Sequence, residues 1–118
     1  MNTDELLVTV GGSAEDDAAA FVDAWERTER GQHVEPQRVL AFESWEGLSA
    51  VLTNERYRLL RHLHGHPEAS VSALARSLGR QFRRVHADVT ALEGAGLVDR
   101  STGTVRTTAD RIRADIQL

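Results

Sequence analysis

Apolar and polar positions alternate weakly from Leu6 to Val10, and the run is partly β-branched, so the pattern predicts a short strand. Gly11-Gly12 breaks it. Ser13 stands where a helix N-cap would, and Glu15, Asp16 and Asp17 fill the first turn, where the helix dipole favours negative charge. Ala14, Ala18, Phe21, Trp25 and Thr28 then share one face, which predicts an amphipathic helix ending near Gly31. Gln32 to Pro36 reads as a loop and Arg38 to Phe42 as a second strand. Glu43 to Leu52 reads as a short helix with Trp45, Leu48 and Val51 inward. Strand, helix and strand in that order form a small α/β unit.

Three helices with short turns are expected next. Asn54 is placed to cap the first, which runs to about His64 with Tyr57, Leu60 and Leu63 inward, and Gly65-His66-Pro67 stops it. Ser70 caps the second, whose Val71, Leu74, Ala75 and Leu78 face inward, and Gly79 ends it. The third spans Gln81 to Gly94, with Phe82, Val85, Val89 and Leu92 on the core side. Leu97–Arg100 and Thr104–Thr107 flank Ser101-Thr102-Gly103 and read as a hairpin. The tail sets Ile112, Ala114, Ile116 and Leu118 against Arg111, Arg113, Asp115 and Gln117. Period two predicts a strand, whose partner is Leu6–Val10 of the same chain or of a second subunit.

Helix, turned helix pair and hairpin follow the order of a winged helix-turn-helix. The expected fold is therefore α+β, a winged helix-turn-helix with a small N-terminal strand-helix-strand extension and a C-terminal strand. Residues 1–42 form the extension, a candidate for dimerisation, and residues 43–118 the DNA-binding domain. In such a unit the second helix of the pair fits the major groove. With Phe82, Val85, Val89 and Leu92 inward, that helix presents Arg80, Gln81, Arg83, Arg84, Ala87 and Asp88 to the groove. The planar fork of Arg pairs bidentately with guanine or phosphate. Gln81 either reads adenine or caps the helix. Ser72 and Arg76 on the preceding helix, and Arg100 and Arg106 on the hairpin beside Ser101 and Thr102, complete the candidate DNA contacts. Asp88 sits awkwardly near phosphate and is expected to pair with Arg84, four residues away.

The string Ser70-Val-Ser-Ala-Leu-Ala-Arg-Ser-Leu-Gly79, followed by Val85 and by Leu92-Glu-Gly-Ala-Gly-Leu-Val98, resembles the winged-helix core of the MarR and ArsR regulator classes. With Arg80, Val85-His-Ala-Asp-Val89 and Ala91-Leu-Glu93, it is similar to a small group of uncharacterised MarR-like predicted regulators of bacteria and archaea. In that group a segment like Phe42-Glu43-Ser44 precedes the winged helix. The resemblance is strong over residues 54–100 and extends over 38–118. It implies a homodimer on a palindromic operator, with Arg83, Arg84 and Ala87 at the groove and Arg100 and Arg106 on the wing. MarR proteins are longer, with extra helices for dimerisation, so a dimer of this chain is built differently. The acidic N-terminal unit and the C-terminal strand are the two candidate interfaces. The resemblance does not reach the first 35 residues.

Charge refines this picture. The 118 residues have a net charge of −4, which by itself disfavours nucleic acid, but the charge is unevenly divided. Residues 1–53 hold 11 acids against 3 Arg, net −8, whereas residues 54–118 hold 7 acids against 11 Arg, net +4. The C-terminal part can face a polyanion while the N-terminal part faces away. All 14 basic residues are Arg, and with abundant Ala, Gly and Val this is the usage of a GC-rich prokaryotic genome.

The absence of Cys removes disulfides, thiolate chemistry and Cys-based zinc sites. No apolar run approaches a membrane span, and Met1–Glu5 is polar and acidic, so a cytoplasmic protein without membrane contact is expected. His62 and His66 have the helical metal-pair spacing, but Gly65 and Pro67 interrupt the helix there, and no metal or cofactor is expected. No catalytic constellation can be read, so the chain is not expected to be an enzyme. The expected function is a homodimeric, sequence-specific transcriptional regulator bound to double-stranded DNA. The rival is a protein-interaction adaptor or antitoxin-like autoregulator that grips a protein partner through its acidic N-terminal part, with Trp25 and Trp45 as core or interface anchors.

Overall fold

A computed structural model of the chain describes residues 4–12, 22–23, 25–27, 29–31 and 38–118. It is a mixed α/β structure with two small sheets. Strands β1 (Glu5–Val10) and β2 (Arg38–Phe42) are followed by helices α1 (Trp45–Val51), α2 (Asn54–Gly65), α3 (Val71–Leu78) and α4 (Phe82–Gly94). Then come β3 (Val98–Asp99), β4 (Arg106–Thr107) and β5 (Arg111–Ile116). No helix among the described residues is long and apolar enough to cross a membrane.

The larger sheet has the order β2-β1-β5, with both outer strands parallel to β1. Leu6, Val8 and Val10 lie opposite Arg38, Leu40 and Phe42 on one side and Ile112, Ala114 and Ile116 on the other. Cross-strand partners share a face, so these residues, Arg38 apart, form the apolar face of the sheet. The β1 members of that face are buried, down to 1% exposure at Val8. The tail strand thus pairs within its own chain with the first strand. The expected boundary at residue 42 separates these two strands, although they belong to one sheet.

A parallel β1–β2 pair needs a crossover connection. Val22, Asp23, Trp25 to Arg27 and Glu29 are helical, as expected for the segment between the strands. Trp25 is 59% exposed, so it is not the inward residue that the spacing predicts. Ser13, Ala14, Glu15, Asp16, Asp17, Ala18, Phe21 and Thr28 lie outside the described residues, as does the Gln32–Pro36 loop.

The helices begin where short polar side chains accept free backbone N–H groups. Ser44 caps α1 through the Gly47 N–H, and Ser70 caps α3 through the Ala73 N–H. Thr53, not Asn54, caps α2: its hydroxyl accepts from the Arg56 N–H, and Asn54 is already the first helical residue. Gly79 ends α3 in the left-handed region at φ 65°, where its N–H and that of Arg80 cap the last carbonyls.

Leu59, Leu63, Leu74, Val85, Val89, Leu92, Leu97 and Val105 are at most 1% exposed and form the centre of the core, with Leu48 linking it toward the sheet. Three aromatic residues expected in the core are not there: Trp45 is 57%, Tyr57 56% and Phe82 49% exposed. Each lies in the first turn or so of its helix.

Thr108 joins the helical part to the larger sheet. Its N–H donates to Leu97 O at 3.0 Å and its hydroxyl to Gly96 O at 2.6 Å, while the Arg38 guanidinium donates to its carbonyl at 2.9 Å. β3 and β4 pair antiparallel as a hairpin shorter than the sequence suggests, and Val105 bridges on to Glu68.

Candidate nucleic-acid interface

The exposed start of α4 is the centre of the candidate site. Val85, Val89 and Leu92 point into the core, which turns Gln81, Phe82, Arg83, Arg84, His86, Ala87 and Thr90 outward. Gln81 is the N-cap residue, but its side chain makes no capping bond. Of the two roles expected for Gln81, capping is therefore not taken up, and the side chain is left free for a ligand. An uncapped N-terminus leaves backbone N–H groups of the first turn open, with the positive end of the helix dipole behind them. Phe82 and His86 lie together on this face, ring centroids 5.6 Å apart. Ser72 and Arg76 on α3 are exposed as well.

Arg76, Arg83 and Arg84 make no ion pair among the described residues. The other three arginines among the expected contacts, Arg80, Arg100 and Arg106, are tied up within the chain. Arg80, which the helix pattern turns outward, is folded back: its Nη2 lies 2.8 Å from Asp88 Oδ2 and its Nε 3.7 Å from Glu55, with the side chain 20% exposed. The approach to Oδ2 is short but badly aligned, so that oxygen and Arg80 Nη1 are buried without a hydrogen bond among the described residues. Asp88 pairs not with Arg84, as expected, but with Arg56 at 3.1 Å and with Arg80. Arg56 also donates to the Ala50 and Val51 carbonyls at 3.0 Å, the free C-terminal end of α1. One carboxylate on α4 thus fastens that helix to α2, to the α3–α4 turn and, through Arg56, to α1.

Both hairpin arginines are also paired. Arg100 makes a two-point contact with Glu93, 3.2 and 3.0 Å, which holds the Glu93 carboxyl below its usual range and raises Arg100. Arg106 sits opposite Asp99 and reaches it at 2.8 Å. The Asp99 carboxyl is lowered to about 2, first by the Ser101 backbone N–H and hydroxyl and then by Arg106. These pairs brace the hairpin and reduce its free positive charge.

Two histidines of α2 are engaged with carboxylates. His62 Nε2 lies 2.9 Å from Glu68, which also accepts from the Ser77 hydroxyl, and these bonds hold Glu68 below its usual range. His64 lies 3.0 Å from Asp110. No cluster of three or more His, Asp or Glu that could hold a metal occurs among the described residues.

Sequence reasoning missed the roles of Glu55, Arg56, Glu93 and Asp99. Arg56 and Asp88 are 32 positions apart, so helix spacing carries no signal for their contact. Only the outward set at Arg83 and Arg84 needed nothing beyond the period of the buried residues around it.

The described residues define a small α/β protein in which Arg76, Arg83 and Arg84, without ion pairs among those residues, lie on a turned helix pair beside a hairpin. The HVO_A0114 family profile matches residues 51–114, more than half of the chain. The chain belongs to the HVO_A0114 family. The match runs from the end of α1 into β5 and leaves out β1 and β2. No curated protein and no solved structure matches the chain.

Proposed function

We propose that the chain is a sequence-specific DNA-binding transcriptional regulator of winged helix-turn-helix type, acting as a homodimer in the manner of MarR and ArsR proteins. One observation carries the reading. Arg83 and Arg84 stand exposed and without a carboxylate partner among the described residues, on a 13-residue helix whose N-terminal N–H groups are uncapped. Arginine forks and free helical N–H groups together suit phosphate and base edges. In this reading α3 and α4 are the helix pair, and the hairpin β3–β4 is the wing. Arg76, Ser72, Gln81 and Ala87 border the contact. Arg80 positions α4, while Arg100 and Arg106 shape the wing.

The test is a salt titration of binding to the DNA upstream of the coding region and to a scrambled duplex of equal length. Preference for the upstream duplex, with affinity falling as salt rises, is the expected result, because neutralised phosphates release counterions. Changing Arg83 and Arg84 together to Ala removes up to two phosphate contacts. Affinity is expected to fall about 10- to 100-fold and the salt slope by about 2. A folded double variant with unchanged affinity overturns this placement.

The rival, a protein-interaction adaptor or antitoxin-like autoregulator, has its own observation. Trp25 and Trp45 are both more than half exposed in the acidic part of the chain. A folded protein that binds neither duplex would move the function to that surface.

A further inference from the structure

β5 is an outer strand whose six residues are all exposed, and among the described residues nothing pairs with its far side. Its apolar face is uncovered too: Ile112 is 39% and Ile116 42% exposed, although they continue the face on which Leu6, Val8 and Val10 are buried. Such an edge is a template for another strand.

The backbone shows which groups are free. Gln117 N–H donates to Val10 O and Arg111 N–H to Asp4 O, so the odd-numbered residues of β5 bond toward β1. Successive residues alternate direction, and the N–H and C=O groups of Ile112, Ala114 and Ile116 therefore point outward.

The strand is also complementary to itself in one register. A closed pair of identical subunits is built around a two-fold axis, so each strand residue meets its counterpart across that axis. An axis at Arg113 opposes Arg to Arg, and one at Asp115 opposes Asp to Asp. An axis at Ile112 opposes Arg111 to Arg113. An axis at Ala114 sets Arg113 against Asp115 twice, sets Ile112 against Ile116 twice, and leaves the small Ala114 side chain at the centre. It also pairs outward-pointing residues only with outward-pointing residues, as an antiparallel ladder requires.

We propose that β5 is the homodimer seam, joined antiparallel to β5 of a second copy about Ala114, so that the two three-stranded sheets form one of six strands. The proposal deepens the homodimer of the proposed function by naming its interface, and its test reads the dimer without DNA.

Sedimentation velocity on the full chain is the experiment, with three variants. Ala114→Pro removes an N–H that does not face β1, a position at which an edge strand tolerates Pro. Asp115→Arg leaves the backbone alone and sets Arg against Arg across the seam. Each is expected to weaken dimerisation about tenfold or more while far-UV circular dichroism is unchanged. Arg113 also pairs with Glu5 on β1 at 3.1 Å, so the rescue combines Asp115→Arg with Arg113→Asp and Glu5→Gln. It restores opposite charges across the seam without setting Asp against Glu5, and is expected to restore the dimer. Amide exchange gives an independent readout: Ile112, Ala114 and Ile116 become protected as concentration rises, whereas Arg113 and Asp115 are protected throughout.

A wild-type chain that stays monomeric up to its solubility limit overturns the seam. So does a dimer that Asp115→Arg leaves intact, or one in which the outward amides still exchange freely. If Ala114→Pro fails to fold, Asp115→Arg and its rescue decide alone. DNA binding is read separately, so a dimer that dissociates as described but ignores DNA refutes the proposed function and leaves the seam standing.

Discussion

Asp88 shows how one residue can carry a purely tertiary role. It sits on the helix proposed to face DNA, where a carboxylate would repel phosphate, yet it is only 13% exposed and turned toward Arg56 and Arg80. Removing one partner of a largely buried ion pair leaves the other charges uncompensated. Asp88→Ala is therefore expected to cost about 3 kcal/mol by denaturant unfolding. Arg84→Ala, with no described ion-pair partner, is expected to stay within about 0.5 kcal/mol of the parent.

Three acids make stability depend on pH. Glu68, Glu93 and Asp99 all titrate lower in the folded chain than their usual values, through His62 and Ser77, Arg100, and Ser101 and Arg106 respectively. A lowered carboxylate stabilises above its unfolded pKa, and that contribution is lost as pH falls through the folded value. Stability is thus expected to fall from the usual carboxylate range near 4.5 down toward about 2. Glu68→Gln should flatten the upper part of that fall in unfolding curves measured across pH.

At the scale of the element, α4 separates a fixed side from a free one. Its buried face was readable from Val85, Val89 and Leu92, because the period of a helix is local. Phe82 fits the same period but stays half exposed, since the pattern says which face a residue is on and not whether anything covers it. Phe82→Ala is accordingly expected to cost less than about 1 kcal/mol, whereas Leu92→Ala, at 0% exposure, should cost about 2–5 kcal/mol in the same unfolding assay. Cap positions were legible to within a residue: Ser70 and Gly79 as read, and Thr53 in place of Asn54 because its hydroxyl meets the Arg56 N–H.

At the scale of the whole molecule, the β2-β1-β5 sheet joins residues more than 100 positions apart. Strand β1 is central and its apolar residues are buried, so it depends on both neighbours. Deleting residues 109–118 would remove the whole of β5 and expose one edge of β1. Amide protection in β1 is expected to drop, while that of Val85, Val89 and Leu92 in the helical core persists. Equal loss in both places would mean that sheet and helices unfold as one unit.

The sequence by itself determined the helices from residue 45 on, most of the aliphatic residues on their inner faces, the hairpin position and the strand character of the tail, because periodicity, caps and turn residues act between near neighbours. It also placed Arg83 and Arg84 outward. Only the tertiary structure decided that Arg80, Arg100 and Arg106 are held by Asp88, Glu93 and Asp99, and that the tail lies parallel beside the first strand. Those outcomes depend on which charges and backbone edges meet once distant segments pack together, and no spacing along the chain encodes that meeting.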